Sequence, residues 1–132
     1  MSDPPGDNVL VTGALGQIGT DLVDALRAKH GKSSVIASDI RDDQGHPSAN
    51  EGPFVVLDVL DTDSITKICK DEGIGTIYHL AALLSATGEE NPDLCRKVNV
   101  GGTVSVLEAA KQCSLRVYSP SSIAVFGPDS PK

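Results

Sequence analysis

No cluster of lysine or arginine stands out in these 132 residues, and 18 acidic side chains against 11 basic ones leave a net charge of -7. That balance lacks the basic footprint that holds nucleic acid or an anionic lipid surface, so neither kind of partner is expected. Cysteines are few. Cys69, Cys95 and Cys113 lie far apart, in neither a metal-ligand spacing nor a disulfide framework. They read as core or helix-face thiols in a reducing compartment, and no metal site is expected. No apolar run approaches the roughly 20 residues of a membrane span. The opening MSDPPGDN is acidic and proline-rich, without the basic-then-apolar layout of a secretory signal or the arginine-rich character of a transit peptide. A soluble, cytoplasmic protein is the expectation. Internal repeats, low-complexity tracts and dividing linkers are absent too, so residues 1–132 read as one domain.

What is present is an alternation of short apolar runs with longer segments of helical period. NVLVT (8–12), SVIAS (34–38), PFVVLDV (53–59), GTIYHLA (75–81) and LRVYS (115–119) read as strands. Between the first two, Ile18, Leu22, Ala25 and Leu26 recur at helical spacing up to Gly31. The polar stretch RDDQGHPSANEG reads as a loop. Asp61 or Asp63 can cap a helix that buries Ile65, Ile68 and Cys69 and ends at Gly73. Asn91 and Pro92 form an N-cap and first-turn pair for a helix running to about Gln112. Strands that are apolar on both faces and separated by helices predict a doubly wound parallel α/β sheet of the Rossmann type, in the order 3-2-1-4-5.

The stretch VTGALGQIGT places Gly13, Gly16 and Gly19 between the first strand and its helix. In that context the helix's first N–H groups and its dipole face the turn, where a pyrophosphate would sit. Gly13 allows the tight turn, Gly16 lets backbone approach phosphate, and Gly19 lets helix pack on strand. The bland alternative is an ordinary strand-to-helix turn. Asp39, twenty residues after Gly19 at the end of the second strand, favours a dinucleotide: its carboxylate can accept both ribose hydroxyls and would repel a 2'-phosphate. Arg41 reads as a solvated loop charge, with pairing to a 2'-phosphate as the rival.

The G-x-x-G-x-x-G spacing resembles the extended branch of the short-chain dehydrogenase/reductase superfamily. Asp58-Val59, HLAA (79–82), NVGGT (99–103) and PSSIAVFG (120–127) are similar to further elements of that branch. Within it, VLVTGALGQIG, VIASDIR, YHLAALLSATGE and PSSIAVFGP resemble the short-chain type of L-threonine 3-dehydrogenase, over residues 9–128. The resemblance implies oxidation of the threonine C3 hydroxyl to 2-amino-3-oxobutanoate, with hydride passing to NAD. It assigns the cofactor to Gly13, Gly16, Gln17, Ile18, Gly19, Asp39, Asp58, Val59, Leu80, Ala81, Ala82 and Asn99. Ser85 is placed at the substrate's polar head and Ser122 beside its reacting oxygen.

Several of these residues have plain readings. Gly101 and Gly102, in mid-helix, would each cost about 1 kcal/mol relative to alanine, and close approach of helix to sheet is one sufficient reason. His79 reads as a satisfied core histidine, Asn99 as a structural amide, Ser85 as a loop cap, and Asp58 as a turn carboxylate. One absence matters more. Removing hydride from an alcohol carbon needs a base for the hydroxyl proton, and serine is too weak an acid to serve near neutral pH. The family uses Tyr-x-x-x-Lys on the helix after the fifth strand; here Tyr78 and Tyr118 are followed four residues later by Ala82 and Ser122. The expectation is therefore a Rossmann domain ending before the sixth strand and substrate cap, with most of the family's homodimer interface missing. Alone it would bind the adenosine half of NAD and catalyse nothing. The alternatives are a nucleotide-sugar epimerase or dehydratase of the same superfamily, and a non-catalytic NAD-binding module.

Overall fold

The computed structural model describes residues 8–81 and 92–119. Five strands, β1 (Asn8–Thr12), β2 (Val35–Asp39), β3 (Phe54–Val56), β4 (Ile74–His79) and β5 (Arg116–Tyr118), form one sheet in the order β3-β2-β1-β4-β5. All four pairings are parallel. This is the expected topology. The helices are α1 (Gln17–His30), α2 (Pro47–Asn50), α3 (Thr62–Asp71) and α4 (Pro92–Cys113), with a single 3-10 turn at Lys32–Ser34. Among the described residues no helix is long and apolar enough to cross a membrane.

Both faces of the sheet are apolar because both are covered, as a parallel sheet requires. Leu10, Ile36 and Ile77 point to one side, where they meet Ile65 and Cys69 of α3 and Val106 and Ala109 of α4. Val9, Val11, Val35 and Ala37 point to the other and meet Val23 and Leu26 of α1. Each valine, leucine or isoleucine among them contributes about 1.5–3 kcal/mol by leaving water, the alanines less. On the α1 side, β4 and β5 carry Tyr78 and Tyr118, whose rings stack with centroids 5.2 Å apart and planes 19° from parallel. Tyr118 is 53% exposed.

Three local expectations are corrected. Ile18 and Ala25 do not face the core; the buried face of α1 is Gly19, Val23, Leu26 and Arg27. Gly19 must lie against the turn backbone, and that requirement rotates Ile18 outward. Arg27 is buried because its guanidinium donates to the carbonyls of Val35, Ser48 and Pro53, the last at 2.7 Å, and so ties α1 to β2 and α2. Burial lowers its pKa, opposed by Glu51. The loop read over residues 41–52 contains α2, whose N-cap is the His46 ring: Nδ1 accepts from Ser48 N–H at 3.0 Å. A histidine cap and a four-residue helix leave little periodic signal. The strands also differ in extent: β2 runs one residue later than expected, and β3 and β5 shrink to three residues each.

The α3 expectations hold closely. Asp61 is the N-cap, accepting from Ser64 N–H and Oγ–H, while Ile65 and Cys69 are buried and Ile68 packs at the core's margin. Burial pushes the Cys69 thiol up to about 12, helped by the neighbouring Cys113. Both behave as core thiols; the Cys95 side chain lies outside the described ones. Asn91 also falls outside the described residues, and α4 begins at Pro92.

Candidate nucleotide-binding site

The strand order reverses between β1 and β4, and such a reversal opens a crevice at the carboxyl ends of the strands. Four segments meet that edge: the turn after β1, the end of β2, the turn after β3 and Leu80–Ala81 after β4. All but three of the residues singled out for a ligand lie on or next to these segments or on α4. Ala82, Ser85 and Ser122 fall outside the described residues, as do the stretches that carried the substrate assignments.

The three glycines of the first turn differ in what their missing side chains make room for. Gly13 has φ +66°, and a Cβ there would lie 2.7 Å from the Leu80 carbonyl carbon and the Ala81 nitrogen. A Cβ on Gly19 would collide with the Gly13 carbonyl oxygen. The chain itself accounts for both. Gly16 is different: its backbone is extended (φ -76°, ψ 174°), and a Cβ would meet only the Gly13 oxygen at an ordinary 3.4 Å. Among the described residues nothing else crowds that position. Gly16 is the N-cap of α1, no side chain caps that end, and no acidic residue occupies the first turn. An end of that kind, with no side-chain cap among the described residues, suits an anion.

Thr12 organises the crevice floor and carried no signal that distinguished it from any strand-end threonine. Its hydroxyl oxygen accepts from Leu80 N–H at 3.0 Å and Ala81 N–H at 3.2 Å, and lies 2.8 Å from His79 Nδ1. With both lone pairs taken, the hydroxyl proton goes to Nδ1, so His79 is neutral with its proton on Nε2. Burial lowers its pKa accordingly. His79 is the satisfied core histidine expected. A second unanticipated chain runs from the His46 ring, which bonds Thr20 Oγ1 at 3.0 Å, to Gly16, whose carbonyl accepts from the same hydroxyl at 2.6 Å.

Asp39 closes the crevice on the β2 side and is 7% exposed. Its Oδ2 accepts from Leu15 N–H at 3.1 Å, inside the glycine turn. Burial pulls its carboxyl up, but hydrogen bonds from the Arg41 side chain, Arg41 N–H and Leu15 N–H outweigh burial and lower the pKa. Asp39 is thus ionised at neutral pH. Arg41 is the exposed loop charge expected, and it also pairs with Asp39: its Nε lies 3.2 Å from Asp39 Oδ1. The turn sets the carboxylate two residues away within reach of a guanidinium that stays open to solvent.

The remaining assigned residues are distributed around this centre. Gln17 and Ile18 are exposed in the first turn of α1, Ile18 at 67%. Asp58 is exposed and closes a turn, Oδ1 accepting from Leu60 N–H at 2.9 Å, while Val59 is buried. Leu80, Ala81 and Asn99 are half-buried. Gly101 and Gly102 admit side chains of the β3–α3 turn, a Cβ on either lying 2.8 Å from Leu60 Cδ2 or Val59 Cγ2 respectively, and at Gly102 also the sheet, His79 Cε1 lying 3.6 Å away. Among the described residues no group of three or more histidines, cysteines or carboxylates is arranged to hold a metal.

Comparison with known proteins agrees with this geometry. An epimerase/dehydratase of Staphylococcus aureus (strain USA300), itself uncharacterized, is 44% identical over 124 residues, covering 94% of this chain and 39% of that protein. The crystal structure of L-threonine dehydrogenase from Phytophthora infestans superposes with a TM-score of 0.85 at 47% identity, covering 95% of this chain and 39% of that one. UDP-glucose 4-epimerase from Brucella ovis, in complex with NAD, superposes with a TM-score of 0.78 at 29% identity over 95% of this chain and 38% of that one. The chain thus spans about two-fifths of the length of these relatives. Residues 9–132 match the NAD dependent epimerase/dehydratase family, and with the glycine turn, the Asp39 carboxylate and the reversal of strand order at one crevice, the chain belongs to that family.

Proposed function

We propose that this chain is the NAD-binding part of an L-threonine 3-dehydrogenase. The observation that carries the reading is the pairing of an unobstructed Gly16 with a buried, ionised Asp39 at the edge of one crevice. The residues fit a dinucleotide. Main-chain N–H groups at the start of α1 would receive the pyrophosphate, and the Asp39 carboxylate would accept ribose hydroxyls while repelling a 2'-phosphate. Leu80 and Ala81, fixed by the Thr12 hydroxyl, would form the floor beneath it. Gln17 and Ile18 would flank the phosphates, and Asp58, Val59 and Asn99 would border the site. Bound NAD supplies the acceptor for a hydride from the substrate's alcohol carbon.

Threonine as substrate is supported by 47% identity to a threonine dehydrogenase against 29% to the UDP-glucose epimerase. On this reading Ser85 holds the amino acid's polar head and Ser122 stands beside its hydroxyl. Neither serine can take the hydroxyl proton, and no tyrosine in these 132 residues is followed four positions later by lysine. On this reading the 132 residues bind the cofactor but carry no such base, and by themselves would bind without turnover. A nucleotide-sugar epimerase is the second reading, favoured by the family match. Calorimetry of the 132-residue chain with NAD tests the first claim, with measurable binding expected. NADH formation by the whole protein with L-threonine tests the second; no NADH from threonine, together with interconversion of UDP-glucose and its C4 epimer without net NADH, selects the epimerase.

A further inference from the structure

The Asp39 carboxylate presents about four acceptor positions. The chain fills all of them. Oδ2 receives Leu15 N–H at 3.1 Å and Arg41 Nη2–H at 3.4 Å; Oδ1 receives Arg41 main-chain N–H at 3.0 Å and Nε–H at 3.2 Å. Two of these donors are main-chain groups fixed by the turns that carry them. The other two belong to a side chain that is 63% exposed, and theirs are the two longest of the four contacts. A pair of hydroxyls arriving at Asp39 finds no free acceptor until the guanidinium leaves.

We infer that Arg41 competes with the nucleotide's ribose for Asp39: its guanidinium occupies the acceptor positions that the 2'- and 3'-hydroxyls need, and binding displaces it. The inference rests on the proposed reading that Asp39 receives the ribose, and it goes further by assigning Arg41 a sign. Simple attraction between a cation and an anionic ligand says that removing Arg41 weakens nucleotide binding. Competition says the opposite, and only for ligands that carry the hydroxyls. With the Arg41 end of the pair open to solvent, hydration offsets much of what the pairing gains, so the guanidinium is displaceable and the competition modest.

The test is calorimetric titration of the 132-residue chain, and of its Arg41→Ala, Arg41→Gln and Asp39→Asn variants, with ADP and with 2',3'-dideoxyadenosine diphosphate. Competition predicts that both Arg41 variants bind ADP about two- to five-fold more tightly than the parent chain, with no gain for the dideoxy ligand. Equal or weaker ADP binding by both Arg41 variants, moving in parallel with the dideoxy ligand, overturns the inference. The Asp39→Asn variant separates that failure from failure of the underlying reading. If it selectively loses ADP while the Arg41 variants gain nothing, only the competition is wrong. If it changes neither ligand, or if neither ligand binds the parent chain at millimolar concentration, Asp39 is not a ribose acceptor and both fall.

Discussion

Two glycine clusters, Gly13-Gly16-Gly19 in the first turn and Gly101-Gly102 inside α4, look equally expendable or equally necessary when only their letters are read. Their neighbours separate them. At Gly13 and Gly19 the obstacle to a side chain is main chain, which cannot move. At Gly101 and Gly102 the obstacle is the tip of Leu60 or Val59. At Gly16 the described residues offer only the Gly13 carbonyl oxygen, at an ordinary 3.4 Å. Among the described residues glycine is thus explained by rigid fold in two places, by side-chain packing in two, and by neither in one, at the start of α1. His79 lies between the two clusters, bonding Thr12 just before the first while its Cε1 lies 3.6 Å from where a Gly102 Cβ would be.

Substitutions can break this contrast. Gly13→Ala and Gly19→Ala should be the most damaging, each losing about 3 kcal/mol in urea unfolding, through left-handed strain with main-chain overlap at the first and overlap alone at the second. Losses below 1 kcal/mol would put Gly13 and Gly19 in the same class as Gly16. Next comes acidification. Folded His79 resists protonation, so at and below the ordinary histidine range the unfolded chain binds a proton that the native one refuses. Stability should fall as pH drops through about 6.5, by up to about 1.4 kcal/mol per unit, and the slope should shrink in His79→Phe.

Smaller effects sharpen the distinction. Gly102→Ala should lose about 1 kcal/mol in thermal or urea unfolding, because Val59 is buried and β-branched and yields poorly. Gly101→Ala should gain up to about 1 kcal/mol, since Leu60 can turn aside and alanine favours the helix. The least change in stability is expected for Gly16→Ala, under about 1 kcal/mol from an altered N-cap, yet nucleotide binding by calorimetry should drop at least about ten-fold. Binding that survives Gly16→Ala would place the pyrophosphate elsewhere.

The topology was legible because hydrophobic runs and punctuation agree in this chain. VLV and VIA are strands by any period, Asp61 and Gly73 bracket α3, and a parallel order follows from the crossovers. The Gly13 turn and the Asp39 position could be read for the same reason: glycine and a strand-end acid have few other uses there. What stayed hidden depends on partners distant in sequence. Thr12 meets residues 67 to 69 positions away, Arg27 finds carbonyls on three segments, and His46 caps α2 while reaching Thr20. Arg41 could have been suspected from its offset to Asp39, but an i,i+2 pair meets only if the loop bends back. The orientation of α1 was misread because a glycine, not an apolar residue, makes its closest contact.

The stacked Tyr78 and Tyr118 have a further use. They are the chain's two tyrosines, no tryptophan overlays their absorption, and β4 and β5 hold them side by side. Coupled phenol chromophores at that separation give a near-ultraviolet circular-dichroism band that vanishes when the rings part. The docking of one short outer strand can therefore be followed optically, without a label, while the rest of the sheet contributes almost nothing at those wavelengths.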